Sequence, residues 1–178
     1  MMDAGVAVRL LTAEEADEKA GALAEVLMDC VEGGASVSFM ASLSREKAQS
    51  FWRRVAKGVQ GGERLLLIAE ESATGRVVGT VQVIFAPFEN QPHRADVAKM
   101  LVHRRARRQG IGAMLMRAAE EAARAAGKSL LVLDTVTGTE AYRLYLRLGW
   151  TRVGEIPNYA LWPDGRPCPT TYFYKAIG

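Results

Sequence analysis

Cysteine is scarce in this chain: Cys30 and Cys168 are the only two in 178 residues. Cys30 stands among apolar helical positions and Cys168 between Pro167 and Pro169, and neither has a second Cys or a His at metal-ligand spacing. That pattern excludes a disulfide framework and a thiolate metal centre, and it predicts two free thiols in a reducing cytoplasm with no metal bound. Long apolar runs are missing too. No stretch approaches the roughly 20 residues of a membrane span, and the Ala- and Glu-rich N-terminus lacks the basic-then-apolar order of a leader. No membrane partner is expected. Repeats and linkers are absent. A phosphate-binding Gly-Lys-Ser/Thr is absent as well, and Leu115 stands where a dinucleotide fingerprint needs its third glycine. The charge excess is small, at +3. It is concentrated at Arg104, Arg105, Arg107 and Arg108 rather than along a face, which suits a small polyanionic ligand better than a nucleic-acid track.

What is present points to a folded domain with a substantial core. Hydrophobic residues make up 49% of the chain, enough to argue against disorder, and the length fits one domain over 1–178. Val6–Leu11 reads as a strand. Thr12 and Glu15 form a capping box for a helix that places Ala16, Ala20, Leu23, Leu27 and Val31 on one face until Gly33-Gly34. Ser44 caps a second helix through Phe51, Val55 and Val59, ended by Gly61-Gly62. Leu65–Ala69 and Val77–Phe85 read as a hairpin, and Leu130–Leu133 as a short buried strand ending at Asp134. Thr139 or Gly138 opens a helix with Ala141, Leu144, Tyr145 and Leu148, ended by Gly149. Trp150–Val153 begins another strand, 154–169 reads as a long loop, and Thr171–Ile177 closes the chain. This order predicts an α/β fold with a mixed sheet.

The stretch from Ala95 to Gly127 organises the rest. Val97–Val102 is an apolar run broken by Lys99, and a dense basic turn follows. From Ile111 the residues suit a helix, with Ile111, Leu115, Ala118, Ala119 and Ala122 on one face and Gly127 as its stop. Strand, arginine- and glycine-rich turn and helix N-terminus together make a phosphate cradle. The first turn of a helix has backbone N–H groups without partners, the dipole favours an anion there, and Gly110 and Gly112 present no Cβ to an approaching ligand.

These residues carry a resemblance. Arg107-Arg108-Gln109-Gly110-Ile111-Gly112 is similar to the pyrophosphate-binding signature of the GNAT N-acetyltransferase superfamily, Gln/Arg-x-x-Gly-x-Gly/Ala. Lys99-Met100-Leu101-Val102 resembles that family's strand beside the pantetheine arm, and residues 141–150, A-Y-R-L-Y-L-R-L-G-W, resemble its second motif. A closer resemblance, to the tabtoxin-resistance acetyltransferase branch, rests on G-G-A-S-V-S-F-M, A-D-V-A-K-M-L-V, L-D-T, W-T-R-V-G-E-I-P-N-Y, P-D-G-R and T-Y-F-Y-K. His103-Arg104 departs from the Leu-Pro pair common there, outside the phosphate contacts.

The resemblance implies a mostly antiparallel central sheet flanked by helices and splayed between its two central strands. It implies acetyl-CoA as cosubstrate, a small amine as acceptor (in the closer branch a β-lactam amino-acid toxin), no nucleic acid, and leaves a homodimer open. Met100, Leu101 and Val102 would serve the pantetheine arm, with the Leu101 N–H polarising the thioester carbonyl; residues Arg107, Arg108, Gln109, Gly110, Ile111 and Gly112 would hold the pyrophosphate. Acyl transfer to an amine also needs a base for the ammonium proton and an acid for the departing thiolate. Asp96 and Asp134 are the carboxylate candidates. Tyr145 is the candidate acid, with Tyr142 competing for the role and His93 and His103 as weaker bases. Glu89, Asn90, Ser36 and Ser38 would line the acceptor site, with Tyr159 and Trp162 as its lid. No Cys or Ser stands beside a base, so direct transfer is expected.

Overall fold

Three helix starts are written in local chemistry. Thr12 and Glu15 close a reciprocal capping box, Ser44 Oγ accepts the Lys47 N–H, and Thr139 Oγ1 accepts the Tyr142 N–H. The structure is a computed structural model that describes residues 5–178; the first four residues of the N-terminus read above lie outside the described residues. In chain order the elements are β1 (Val6–Leu10), α1 (Ala13–Glu18), α2 (Ala20–Glu32), α3 (Arg45–Gln60), β2 (Arg64–Glu71), β3 (Val77–Phe85), β4 (Arg94–Val102), a 3-10 turn (Arg104–Ala106), α4 (Ile111–Ala125), β5 (Leu130–Val136), α5 (Glu140–Arg147), β6 (Thr151–Leu161) and β7 (Pro167–Ala176). The seven strands form one sheet in the order β1-β2-β3-β4-β5-β7-β6, antiparallel throughout except for β4 beside β5. Helices cover both faces. One core packs α1–α3 on Leu66, Ile68, Val77 and Leu101; the other packs α4 and α5 on Leu67, Val81, Val83, Val97 and Leu133. Among the described residues no helix is long and apolar enough to cross a membrane.

The fold departs from the sequence reading in three places. The first helix breaks at Lys19, whose ammonium pairs with Glu70 at 2.6 Å, yet its apolar stripe stays buried from Ala16 to Val31. Strand β5 runs on to Val136, so Asp134 lies within the strand and not at its end. Residues 154–169 are not a loop: β6 continues to Leu161, and a turn at 162–166 leads back into β7. Gly154 and Pro157 lie inside β6, which is an edge strand with register shifts between Arg152 and Gly154 and between Ile156 and Ala160. An edge strand loses no ladder bond to a proline, and bulges absorb the irregular residues.

Glu120, inside α4 and 5% exposed, locks the far half of the sheet to the helices. It accepts from the Trp150 indole (3.1 Å) and from the Lys175 ammonium (2.8 Å). That lock holds the end of α5 and β7 against α4.

The feature that positions the site is a fork. Strands β4 and β5 pair only where Arg94, Ala95 and Asp96 meet Leu130, Leu131 and Val132. Beyond that point β4 keeps β3 and β5 keeps β7, and the two central strands splay apart.

Candidate active site

A bulge in β4 marks the opening of the fork. Thr80 faces Leu101 and Gln82 faces Ala98, so Lys99 and Met100 together oppose Val81. Lys99 takes the strained left-handed conformation, at φ 50°. After the bulge the His103 N–H donates to Val78 O (2.8 Å). Alternation in an antiparallel ladder then turns the Leu101 N–H toward β3 and leaves the backbones of Met100 and Val102 facing the fork. The expected carbonyl donor, the Leu101 N–H, is therefore turned away, because the extra residue of the bulge resets the alternation.

The basic turn is pinned from α2. Asp29 accepts from the Arg104 backbone N–H (2.8 Å) and from Arg104 Nε (2.9 Å). Burial pushes the Asp29 carboxyl up, but these Arg104 bonds and the nearby charges hold it below its ordinary value. His103 lies 3.5 Å from Asp29; burial lowers its pKa, against the pull of that carboxylate. Arg107 folds back, donating from Nε to Val102 O (3.1 Å) with a further contact to Cys30 Sγ at 3.8 Å. Gly110 then takes φ 78° at the start of α4, a conformation that a Cβ would strain. Among the described residues no side chain caps this helix, and the Met114 N–H is satisfied by Gly110 O. The amides ahead of it are left for a ligand. A Cβ on Gly112 would meet Leu144 Cδ2 at 3.0 Å and the Met100 sulfur at 3.7 Å, so α4 approaches α5 and β4 closely here.

Fork, turn and helix start enclose a cleft of about 1340 Å³. The sequence-predicted cofactor residues all line it except Gln109, which is exposed between the left-handed Arg108 (φ 63°) and Gly110. Asp134 and Tyr145 line it; Asp96 does not. Asp96 sits in the closed part of the fork, opposite Val132, with Arg94 at 2.7 Å. Ser36, Ser38, Tyr159 and Trp162 also line the cleft, whereas Glu89, Asn90, His93, His103 and Tyr142 do not.

Asp134 is exposed to the cleft and accepts from Thr170 Oγ1 (2.8 Å). Tyr145 is 5% exposed and packs against Trp150 and Phe173, while its hydroxyl finds no protein partner among the described residues. Burial raises its pKa and the Asp134 charge raises it further, so the phenol keeps its proton. Tyr142 stacks on Phe173 at 5.4 Å, away from the cleft. Cys30 reaches the cleft wall, but its thiol donates to Val102 O (3.5 Å) and burial pushes its pKa up, so it is no thiolate nucleophile.

Sequence reasoning missed Lys99, Asp29 and Thr170. Lys99 had a signal, a charge interrupting an apolar strand. Asp29 and Thr170 had none, since each acts on a residue far away in the chain.

An open strand edge beside an uncapped helix N-terminus, over a cleft this size, leaves room for an anionic group with an extended chain beside it. The chain belongs to the acetyltransferase (GNAT) family, whose model matches residues 22–150. It is thus an acyltransferase, with acetyl-CoA as cosubstrate. Its fold is similar to that of yncA from Salmonella typhimurium, solved with its cofactor acetyl-CoA (TM-score 0.79, 19% identity, covering 98% of this chain and 95% of that one). It is similar also to a ribosomal-protein-alanine N-acetyltransferase from Brucella melitensis (TM-score 0.78, 23% identity, 96% and 99% covered). A GCN5-related N-acetyltransferase from Kribbella flavida gives a TM-score of 0.78 at 21% identity, with 97% and 98% covered. At these identities the likeness is one of fold.

Proposed function

We propose that the chain, acting as a single domain, is an acetyl-CoA-dependent N-acetyltransferase that acetylates the amine of a small molecule directly, in a ternary complex. One observation carries this reading: Asp134 and Tyr145, groups of opposite proton demand, line the same cleft as the open edge of β4 and the uncapped start of α4. The free amides of α4, the missing Cβ atoms at Gly110 and Gly112 and the arginine turn fit a pyrophosphate. The fork-facing backbones of Met100 and Val102 fit the amides of a pantetheine arm, with an N–H of that edge in place of Leu101 to polarise the carbonyl.

Bound acetyl-CoA supplies an activated thioester. Asp134 binds the ammonium and takes its proton, directly or through a water, so that the neutral nitrogen attacks. The C–N bond forms as the C–S bond breaks, Tyr145 donates its proton to the departing sulfur, and the second proton that the new amide nitrogen sheds returns to Tyr145 through water. The ion pair that occupies Asp96 favours Asp134 over Asp96 as the base. The resemblance to the tabtoxin-resistance branch supports a small β-lactam amino-acid toxin as acceptor, and cytoplasmic action on it.

The cradle gives the first test. Gly112→Val puts its methyls against Leu144 and into the cleft, and CoA affinity measured by calorimetry should fall about tenfold or more in a protein that remains folded. Unchanged affinity in the folded variant would sink the pyrophosphate assignment. Arg107→Ala should weaken CoA less, because its guanidinium is engaged by Val102 O and the helix amides remain. Direct transfer makes a further demand: incubation with acetyl-CoA alone should leave the protein's mass unchanged, and a stable acetylated protein would point to a covalent route.

A further inference from the structure

Lys99 is a charge that the packing of β4 does not require. The bulge gives it the extra position opposite Val81 and re-aims its side chain into the cleft wall. Its ammonium donates to Ser38 Oγ (2.8 Å), a neutral partner in the apolar loop ahead of α3, and lies 5.9 Å from the centre of the Phe51 ring. Among the described residues no carboxylate pairs with it. Asp134 lines the same cleft from β5, near enough for its charge to act on Lys99, yet the two form no ion pair. A cation and an anion thus face one cleft from the two arms of the fork without closing on each other. Burial lowers the Lys99 pKa, a cost that a bound anion would offset.

We infer that Lys99 is the residue that reads the carboxylate of an amino-acid acceptor, receiving that group while Asp134 holds the ammonium. This rests on the acetyl-transfer reading of the cleft, but it adds a specificity-determining residue which that reading does not need. Ser38 is placed to share the anion, since its hydroxyl already bonds the ammonium. An amine without an acid group would leave the Lys99 charge unanswered and lose a charge-assisted bond.

The test uses matched probes: the twenty amino acids, their amides, and the amines that lack the carboxyl group. Both turnover with acetyl-CoA and binding to the CoA-loaded protein are measured. The acid should beat its amide by about 10- to 100-fold, chiefly in KM and in Kd. Lys99→Met should bring that ratio close to one by weakening the acid, and Lys99→Arg should restore much of it. Turnover with no preference for the acid, or a preference unaltered in Lys99→Met, overturns the inference and leaves acetyl transfer standing. Lys99-dependent binding of the acid without turnover upholds the inference and counts against transfer. No carboxylate-dependent binding anywhere in the panel also overturns it. Circular dichroism of Lys99→Met checks that the bulge still folds, with Lys99→Gln as the second variant.

Discussion

Asp134→Asn is expected to lower acceptor turnover by on the order of a hundredfold or more, with CoA affinity unchanged. The substitution keeps the shape of the side chain and an oxygen for the Thr170 hydroxyl, and removes only charge and basicity. An alkyl amine with a pKa of roughly 10 is almost wholly protonated at neutral pH, so a catalyst without a base waits for the rare neutral form. That sets a pH signature. As pH rises toward the pKa of the amine its neutral fraction grows about tenfold per unit, so the defect of the variant should shrink between neutral and alkaline pH. The ratio of kcat/KM for native and variant protein across that range reads this directly. Turnover equal to native at neutral pH would pass the role to a water, or to Asp96 released from Arg94.

Tyr145→Phe removes one oxygen atom. Because that hydroxyl finds no protein partner among the described residues, the cost in stability should stay below the roughly 1 kcal/mol of a typical net hydrogen bond. A general acid predicts instead a turnover loss of about a hundredfold or more, narrowed by a better leaving thiol. The raised pKa works in the same direction: the protonated form is the active one, and it persists above the ordinary tyrosine value. Rates should therefore not fall through loss of this proton below pH of about 10. Tyr142→Phe is the internal control, since its ring packs on Phe173 outside the cleft and its turnover should be close to native. If Tyr142→Phe loses activity and Tyr145→Phe does not, the acid has been misassigned by one turn of α5.

The parts of the fold legible in the sequence are those decided by neighbours in the chain. Thr12 with Glu15, Ser44 and Thr139 signal their helices within three residues, and Gly110 and Gly127 punctuate α4. The short run Arg107–Gly112 places the basic turn ahead of α4 in the same local way. What escaped depends on register and distance. Asp96 and Asp134 look alike as strand carboxylates, and only the pairing of Asp96 with Val132 shows that one lies in the closed part of the fork. The turning of Leu101 toward β3 follows from a one-residue bulge; Lys99 interrupts the apolar run there, but a charge in a strand does not say that an extra residue is inserted. Asp29 reaches Arg104 and Thr170 reaches Asp134 across elements distant in the chain, so no spacing rule could join them. Strand β6 was hidden for a different reason: an edge strand tolerates Gly154 and Pro157, which elsewhere would end it.

The most direct test of acetyl transfer at this fork is a screen of small amines, amino acids and aminated antibiotics with acetyl-CoA, following free thiol and the acceptor's mass together. The predicted result is an acetyl group on the amine nitrogen of at least one acceptor, released CoA in equal amount, and loss of both signals in Asp134→Asn and Tyr145→Phe. Acetyl-CoA bound tightly with no amine acetylated, or acetylation that both variants retain, would contradict it.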